Sequence, residues 1–191
     1  GLNLTYTPNQ DYHGPDSFTF KVNDGSHDSN TSTFTLTVTE VNDAPTATDD
    51  SALTDEDTPL NLSAADLTAN DSTGPADESL QTLSVTNVAA TAATHGLVSI
   101  NNGIVTYTPD SNYHGAASFT YLVCDNGTTN GAPDSRCASA TVNISVTSVN
   151  DNPVAVDDSA TTNEDTPVTV DVVANDTDVD GDARTLQSVG T

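Results

Sequence analysis

The chain repeats itself, and that repeat limits the folds open to it more than any other feature. The stretch VNDAPTATDDSALTDEDTP, beginning at Val41, returns as VNDNPVAVDDSATTNEDTP, beginning at Val149, 108 residues later. A second pair, TYTPNQDYHGPDSFTFKVNDG from Thr5 and TYTPDSNYHGAASFTYLVCDNG from Thr106, is offset by 101. The difference of seven residues is an insertion in one loop, around 128–136. One complete unit is therefore expected over 44–151. The last part of a preceding unit is expected over 1–43 and the first part of a following one over 152–191.

Within the complete unit, seven short alternating segments separated by turn signals predict strands near 46–53, 59–64, 81–89, 96–101, 103–108, 117–124 and 138–147. Asn102-Gly103 between the fourth and fifth is a hairpin turn signal. Phe119, Tyr121 and Val123 alternate along one strand, and Val142, Ile144 and Val146 along the next, so these are the expected inward faces. Seven alternating strands in about a hundred residues predict an all-β, immunoglobulin-like sandwich, strung in tandem as one complete and two partial copies.

Charge is the second constraint. Three Lys and Arg against 28 Asp and Glu leave a formal net charge of −25. Such a field repels nucleic acid and anionic lipid, which removes both as partners, and it strains the compact state unless cations neutralise it. No apolar run approaches the roughly 18 residues of a membrane span, so no membrane insertion is expected in this segment.

The motifs VNDAP…DD…DEDTP and YTP…YHG…SFTY, taken in order, resemble the bacterial cadherin-like repeats of large surface adhesins over essentially the whole chain. The resemblance implies tandem β-sandwiches, an extracellular or cell-surface setting, and calcium at the junctions between units. It does not identify an adhesive target.

Carboxylate and amide oxygens are hard ligands suited to Ca²⁺, which takes about six to eight of them. A sandwich brings separate loops to a shared pole, so acids from different segments are expected to converge at each linker. At the first junction the near side offers Asp11 and Asp16 from the E–F loop, with Glu40, Asn42 and Asp43 from the linker. The far side offers Asp71 from the B–C loop and Asp125 from the F–G loop. At the second junction Glu56 and Asp57 come from the A–B loop and Asn150, Asp151 and Asn152 from the linker. Asp176, Asp178, Asp180 and Asp182 come from the next B–C loop, in the run DTDVDGD. That run begins like a calcium-binding loop, but its twelfth position is Gln187 in place of a bidentate Glu, and its counterpart NDSTGPADES (70–79) looks eroded. The alternative is that Asn-Asp-x-Pro makes only a turn. Against the cadherin linker pattern, Glu40 supplies the acid before Asn-Asp and Ala44 replaces the final Asn. At the second linker Ser148 replaces the acid while Asn152 is kept, and Ala117 stands where Asp16 stands in the preceding unit.

Cys124 and Cys137 flank the insertion on adjacent strands, both facing outward, which predicts a disulfide and an oxidising compartment. His13 and His114 occupy identical Tyr-His-Gly turns, which suits a structural role. No zinc spacing, nucleophile elbow or phosphate loop is present, so no enzyme activity is expected. The leading expectation is a non-catalytic spacer, stiffened by calcium, whose partners are neighbouring repeats of the same or identical chains. Any glycan or cell-surface ligand would then be engaged through other domains. The alternatives are a ligand- or glycan-binding module, or a filament subunit joined to its copies by strand complementation. The aromatics repeat in phase (Tyr6 with Tyr107, Tyr12 with Tyr113, Phe18 with Phe119), as core positions do and sugar-stacking positions need not.

Overall fold

In the computed structural model, which describes residues 3–190, the alternating segments form strands and the inward-facing residues lie where their periodicity put them. The complete unit contains β3 (Asp50–Asp55), β4 (Leu60–Ser63), β5 (Ser84–Ala90), β6 (Gly96–Asn101), β7 (Ile104–Pro109), β8 (Gly115–Cys124) and β11 (Cys137–Thr147). Two small strands, β9 (Thr128–Thr129) and β10 (Ala132–Pro133), pair within the insertion. Ahead of the unit, β1 (Gly14–Phe20) and β2 (Ser32–Val38) form an antiparallel hairpin.

The seven strands make two sheets, ordered β3-β11-β8-β5 and β4-β7-β6, the layered arrangement of a β-sandwich. In the larger sheet Val142 of β11 lies opposite Phe119 of β8, and Ala140 opposite Tyr121, so both inner faces fall on one side. Phe119, Tyr121, Val123, Val142, Ile144 and Val146 are all buried, and they meet Val105 and Tyr107 of β7 from the smaller sheet. The Tyr107 and Phe119 rings lie 6.4 Å apart between centroids. The Tyr107 hydroxyl donates to the Thr94 carbonyl and the Tyr121 hydroxyl to the Leu67 carbonyl, so neither is left unpaired in the core. The hairpin at Asn102-Gly103 has φ of 49° and 77°, the paired positive values of the predicted tight turn.

Three features differ from expectation. The first strand begins at Asp50, not near 46, because Thr46 bridges to Ser72 while Asp50 onward pairs parallel with β11. Alternation names a strand but not its partner or direction. A one-turn helix, α1 (Ala64–Leu67), follows β4, started by the Ser63 side chain accepting the Asp66 amide; it plugs Leu67 into the core. Cys124 and Cys137 are joined, S–S 2.01 Å, at facing positions of β8 and β11. Cys124 is on the outward face yet only 6% exposed, because Thr86, at a bulge in β5, covers its sulfur at 3.3 Å.

The flanking segments carry less structure. Phe18 and Phe34 stack across β1 and β2 with centroids 5.1 Å apart. Among the described residues, 152–190 form no strand longer than the single bridge from Val154 to Thr177. No helix of the described residues is long and apolar enough to cross a membrane.

Candidate metal-binding seams

The segments expected to be linkers are each held by carboxylates from distant loops. At the second linker Glu56, 3% exposed, accepts the Val149 amide at 2.7 Å, while its other oxygen lies 3.6 Å from His114 Nδ1. Asp57, held at φ 56°, accepts the Asn112 amide at 3.1 Å. With the Asn112 side-chain amide turned to donate, its nitrogen lies 3.3 Å from Asp57 Oδ2 and 3.1 Å from Asp151 Oδ2. From the other side, Asp180 accepts the Asp151 amide at 2.6 Å, and Asp178 accepts the amides of Asp180 and Asp182. The Asp151 carboxyl is pushed up by desolvation and then by the negative charges of Asp180, Asp57, Glu56 and Asp178. Four carboxylates from two other segments therefore act on Asp151 here.

The first linker repeats this grammar with different residues. The Asp43 amide donates to Glu78 Oε1 at 2.6 Å, as the Asp151 amide does to Asp180. The Thr48 amide donates to Asp71 as the Val156 amide does to Asp176. Asn70 reaches the carbonyls of Thr48 and Asp49 as Asn175 reaches those of Val156 and Asp157. Glu78 thus occupies the position of Asp180, and the loop that looked eroded has kept its acid on a 3₁₀ turn (Ala76–Glu78). Burial raises the Glu78 carboxyl, the Asp43 amide opposes that rise, and the charges of Asp43, Asp77 and Asp125 add to it. Asn42, 3% exposed, donates to Asp125 Oδ1 at 3.0 Å and to the Asp134 carbonyl at 2.8 Å, and accepts from Gln81 Nε2 at 2.7 Å.

The remaining expected residues divide. Asp11, Glu40 and Asp43 line one surface recess beside the linker together with Asp77. His13 joins that recess, its Nδ1 3.4 Å from Asp77, so the two repeated histidines each face a seam carboxylate. Asp16 is committed elsewhere: it accepts the Tyr6 hydroxyl at 2.5 Å and the Ser17 amide at 2.7 Å. These bonds lower the Asp16 carboxyl and push Tyr6 up to about 12. Asp71 also lies 3.3 Å from the Tyr121 hydroxyl, which ties it to the core. Asn150 donates to the Asp151 carbonyl, Asn152 stands exposed, and Asp182 lies exposed at the end of its loop. Sequence reasoning missed Glu78, Gln81, Asp77 and Asn112, whose spacing carries no ligand motif. The one available signal was Glu78 itself, the acid closing NDSTGPADES where DTDVDGD is acid throughout.

The donor set suits a hard cation. Glu78 Oε2, Asp125 Oδ2 and Gln81 Oε1 are buried without a hydrogen-bond partner, and all three are acceptor oxygens around the first linker. Their burial has no compensation within the protein, which is the condition a divalent ion relieves. Among the described residues no three His, Cys, Asp or Glu side chains stand in a ready metal-holding group.

A seven-stranded sandwich in which acidic loops converge on a linker at either end defines an immunoglobulin-like module of a tandem array. The cadherin-like domain model matches residues 41–146, more than half of the chain, and this chain belongs to that family. A bacterial Ig domain model matches 1–37 and 150–191. Domains of these kinds are non-enzymatic modules of the adhesion type, typically extracellular. No curated protein matches the chain. Among solved structures it is similar to human protocadherin-24 EC1-2, at 18% identity and TM-score 0.42, covering 69% of this chain and 65% of that one. It is also similar to an endo-fucoidan hydrolase of glycoside hydrolase family 107, at 20% identity and TM-score 0.31, covering 71% of this chain and 19% of the hydrolase.

Proposed function

We propose that the chain is a spacer of tandem sandwiches, divided as 1–43, 44–151 and 152–191, whose linkers are stiffened by Ca²⁺ in an extracellular, cell-surface array. The observation that carries this reading is the set of orphaned oxygens on Glu78, Asp125 and Gln81 at the first linker. The raised Asp151 carboxyl at the second linker, beside Asp180, Asp57, Glu56 and Asp178, supports it. At the first seam Glu78, Asp125 and Gln81 would hold the ion, with Asp11, Glu40, Asp43 and Asp77 at the recess. At the second, Glu56, Asp57, Asp151, Asp178 and Asp180 would hold it, with Asn150, Asn152, Asp176 and Asp182 flanking. The bound ion supplies positive charge that offsets repulsion across the linker. The protein supplies the geometry: backbone amides of the linker orient Glu56, Glu78 and Asp180, and the sandwich poles bring their loops together.

The test is thermal unfolding of the chain in excess EDTA and in millimolar Ca²⁺, with Mg²⁺ as control. A site held at a hundredfold its Kd adds about 2.7 kcal/mol to the folded state. For a domain of this size that is a rise of roughly 10 °C or more in Tm. An equal response to Mg²⁺, or none to Ca²⁺, would refute calcium stiffening and leave the acids as a solvating surface.

A further inference from the structure

The insertion that throws the repeat out of register does not hang free. It folds back over the first linker through hydrogen bonds among backbone groups, threonine hydroxyls, the Asn42 amide and the Asp125 and Glu40 carboxylates, none of which needs an ion to form. The Asn42 amide donates to Thr129 Oγ1 at 2.9 Å, and the Asn130 amide donates to the Glu40 carbonyl at 3.1 Å. Thr128 donates to the Glu40 carboxylate at 3.3 Å, and the Asp134 carbonyl accepts from the Asn42 side chain at 2.8 Å. Gly127 completes the seat: a Cβ there would fall 1.6 Å from Asn42 Oδ1, so only a residue without a side chain lets the Asn42 amide enter.

The loop is built to keep that shape. Asn130-Gly131 turns the β9–β10 hairpin with φ of 54° and 75°. Asp134 accepts from Thr129 at 2.6 Å and from Arg136 at 3.0 Å, which lowers its carboxyl. Asp125 Oδ1 accepts the Gly127 and Arg136 amides, tying the two stems together above the Cys124–Cys137 disulfide. The corresponding hairpin of the preceding unit, between β1 and β2, has neither the insertion nor the cysteines, and closes with the Asn23–Asp28 bridge and the Ser29 amide donating to the Val22 carbonyl.

We propose that the disulfide-closed loop 125–136 is a latch for the linker segment Glu40–Asn42, fixing the first seam without a cation. Its partner is the linker that leaves β2, gripped through the main-chain groups of Glu40 and Asn42 and one buried asparagine amide. The latch goes beyond calcium stiffening and does not depend on it, since none of its hydrogen bonds requires an ion. A chain with such a seam has one junction that stays ordered when calcium falls.

The test is amide hydrogen exchange on the full chain in EDTA, read at the linker and at β8 and β11. In the oxidised wild type the Asn42 and Asn130 amides should be protected. Thr129→Val, which keeps shape but removes the acceptor, and Gly127→Ala, which displaces Asn42, should each speed their exchange about fivefold or more, the worth of a hydrogen bond near 1 kcal/mol. Exchange in β8 and β11 should be unchanged. The paired substitution Cys124→Ser with Cys137→Ser should speed linker exchange likewise. Linker amides that exchange at unstructured rates in the wild type, or that ignore Thr129→Val and Gly127→Ala, would overturn the latch. Repeating the series in millimolar Ca²⁺ separates the two ideas: wild-type protection in EDTA with no calcium response anywhere refutes calcium stiffening alone.

Discussion

At the scale of single residues, the informative groups are carboxylates whose environment works against their charge. Glu78 and Asp151 both have raised carboxyls in the fold, so the folded state holds their protons more tightly than the unfolded chain does. Their contribution to metal-free stability is therefore greatest below the ordinary carboxylate range and is lost as pH rises through their elevated values. In EDTA, Glu78→Gln should flatten the fall in Tm between about pH 4 and pH 7, because it removes one of the groups that must ionise against burial. In Ca²⁺ the same substitution should lower Tm relative to wild type, since a carboxylate ligand is replaced by a weaker amide oxygen. Melting curves at several pH values in the two buffers check both signs. Asp16 works in the opposite direction: its lowered carboxyl contributes stability above its unfolded value that is lost on acidification.

At the scale of elements, the central β8–β11 pair carries the middle unit. Phe119 is fully buried and faces Val142 across the ladder, so Phe119→Ala should cost about 3–5 kcal/mol and be measurable as a lower midpoint in urea. The disulfide at the top of the same pair closes a short loop. Replacing both cysteines by serine should cost up to about 3 kcal/mol by chain entropy, with the sandwich still folded by circular dichroism. These elements also show where sequence patterning stops. Period-2 alternation located the inner faces of β8 and β11, because burial on one side imposes it locally. It could not show that β3 joins β11 in parallel, nor that Ser63 would end β4 in a helical turn.

At the scale of the whole molecule, two seams with different chemistry predict unequal response to cations. Small-angle scattering in EDTA should show flexing at the second linker, where four neighbouring carboxylates press on Asp151, and added Ca²⁺ should reduce it. The first seam should contribute little to that change if its latch is closed. An equal loosening at both linkers, resolved by exchange in 40–44 and 148–152, would mean that the latch adds no rigidity.

The repeat, its phase, the all-β class, the Asn-Gly turn and the cysteine pair were legible in the amino-acid order, because each is a property of near neighbours or of one segment compared with its copy. So was the expectation that acids gather at the linkers, since sandwich topology sends known loops to known poles. Which acids share a seam was not. Glu78 holds the Asp43 amide from 35 positions away, and Asp134 holds Asn42 from 92. Of two acids equally well placed by spacing, Asp16 accepts the Tyr6 hydroxyl, while Asp71 accepts the Thr48 amide and lies beside the Tyr121 hydroxyl. Only the folded backbone brings such segments within hydrogen-bond reach, and a carboxylate near a linker commits to whichever donor arrives first in space, not in sequence.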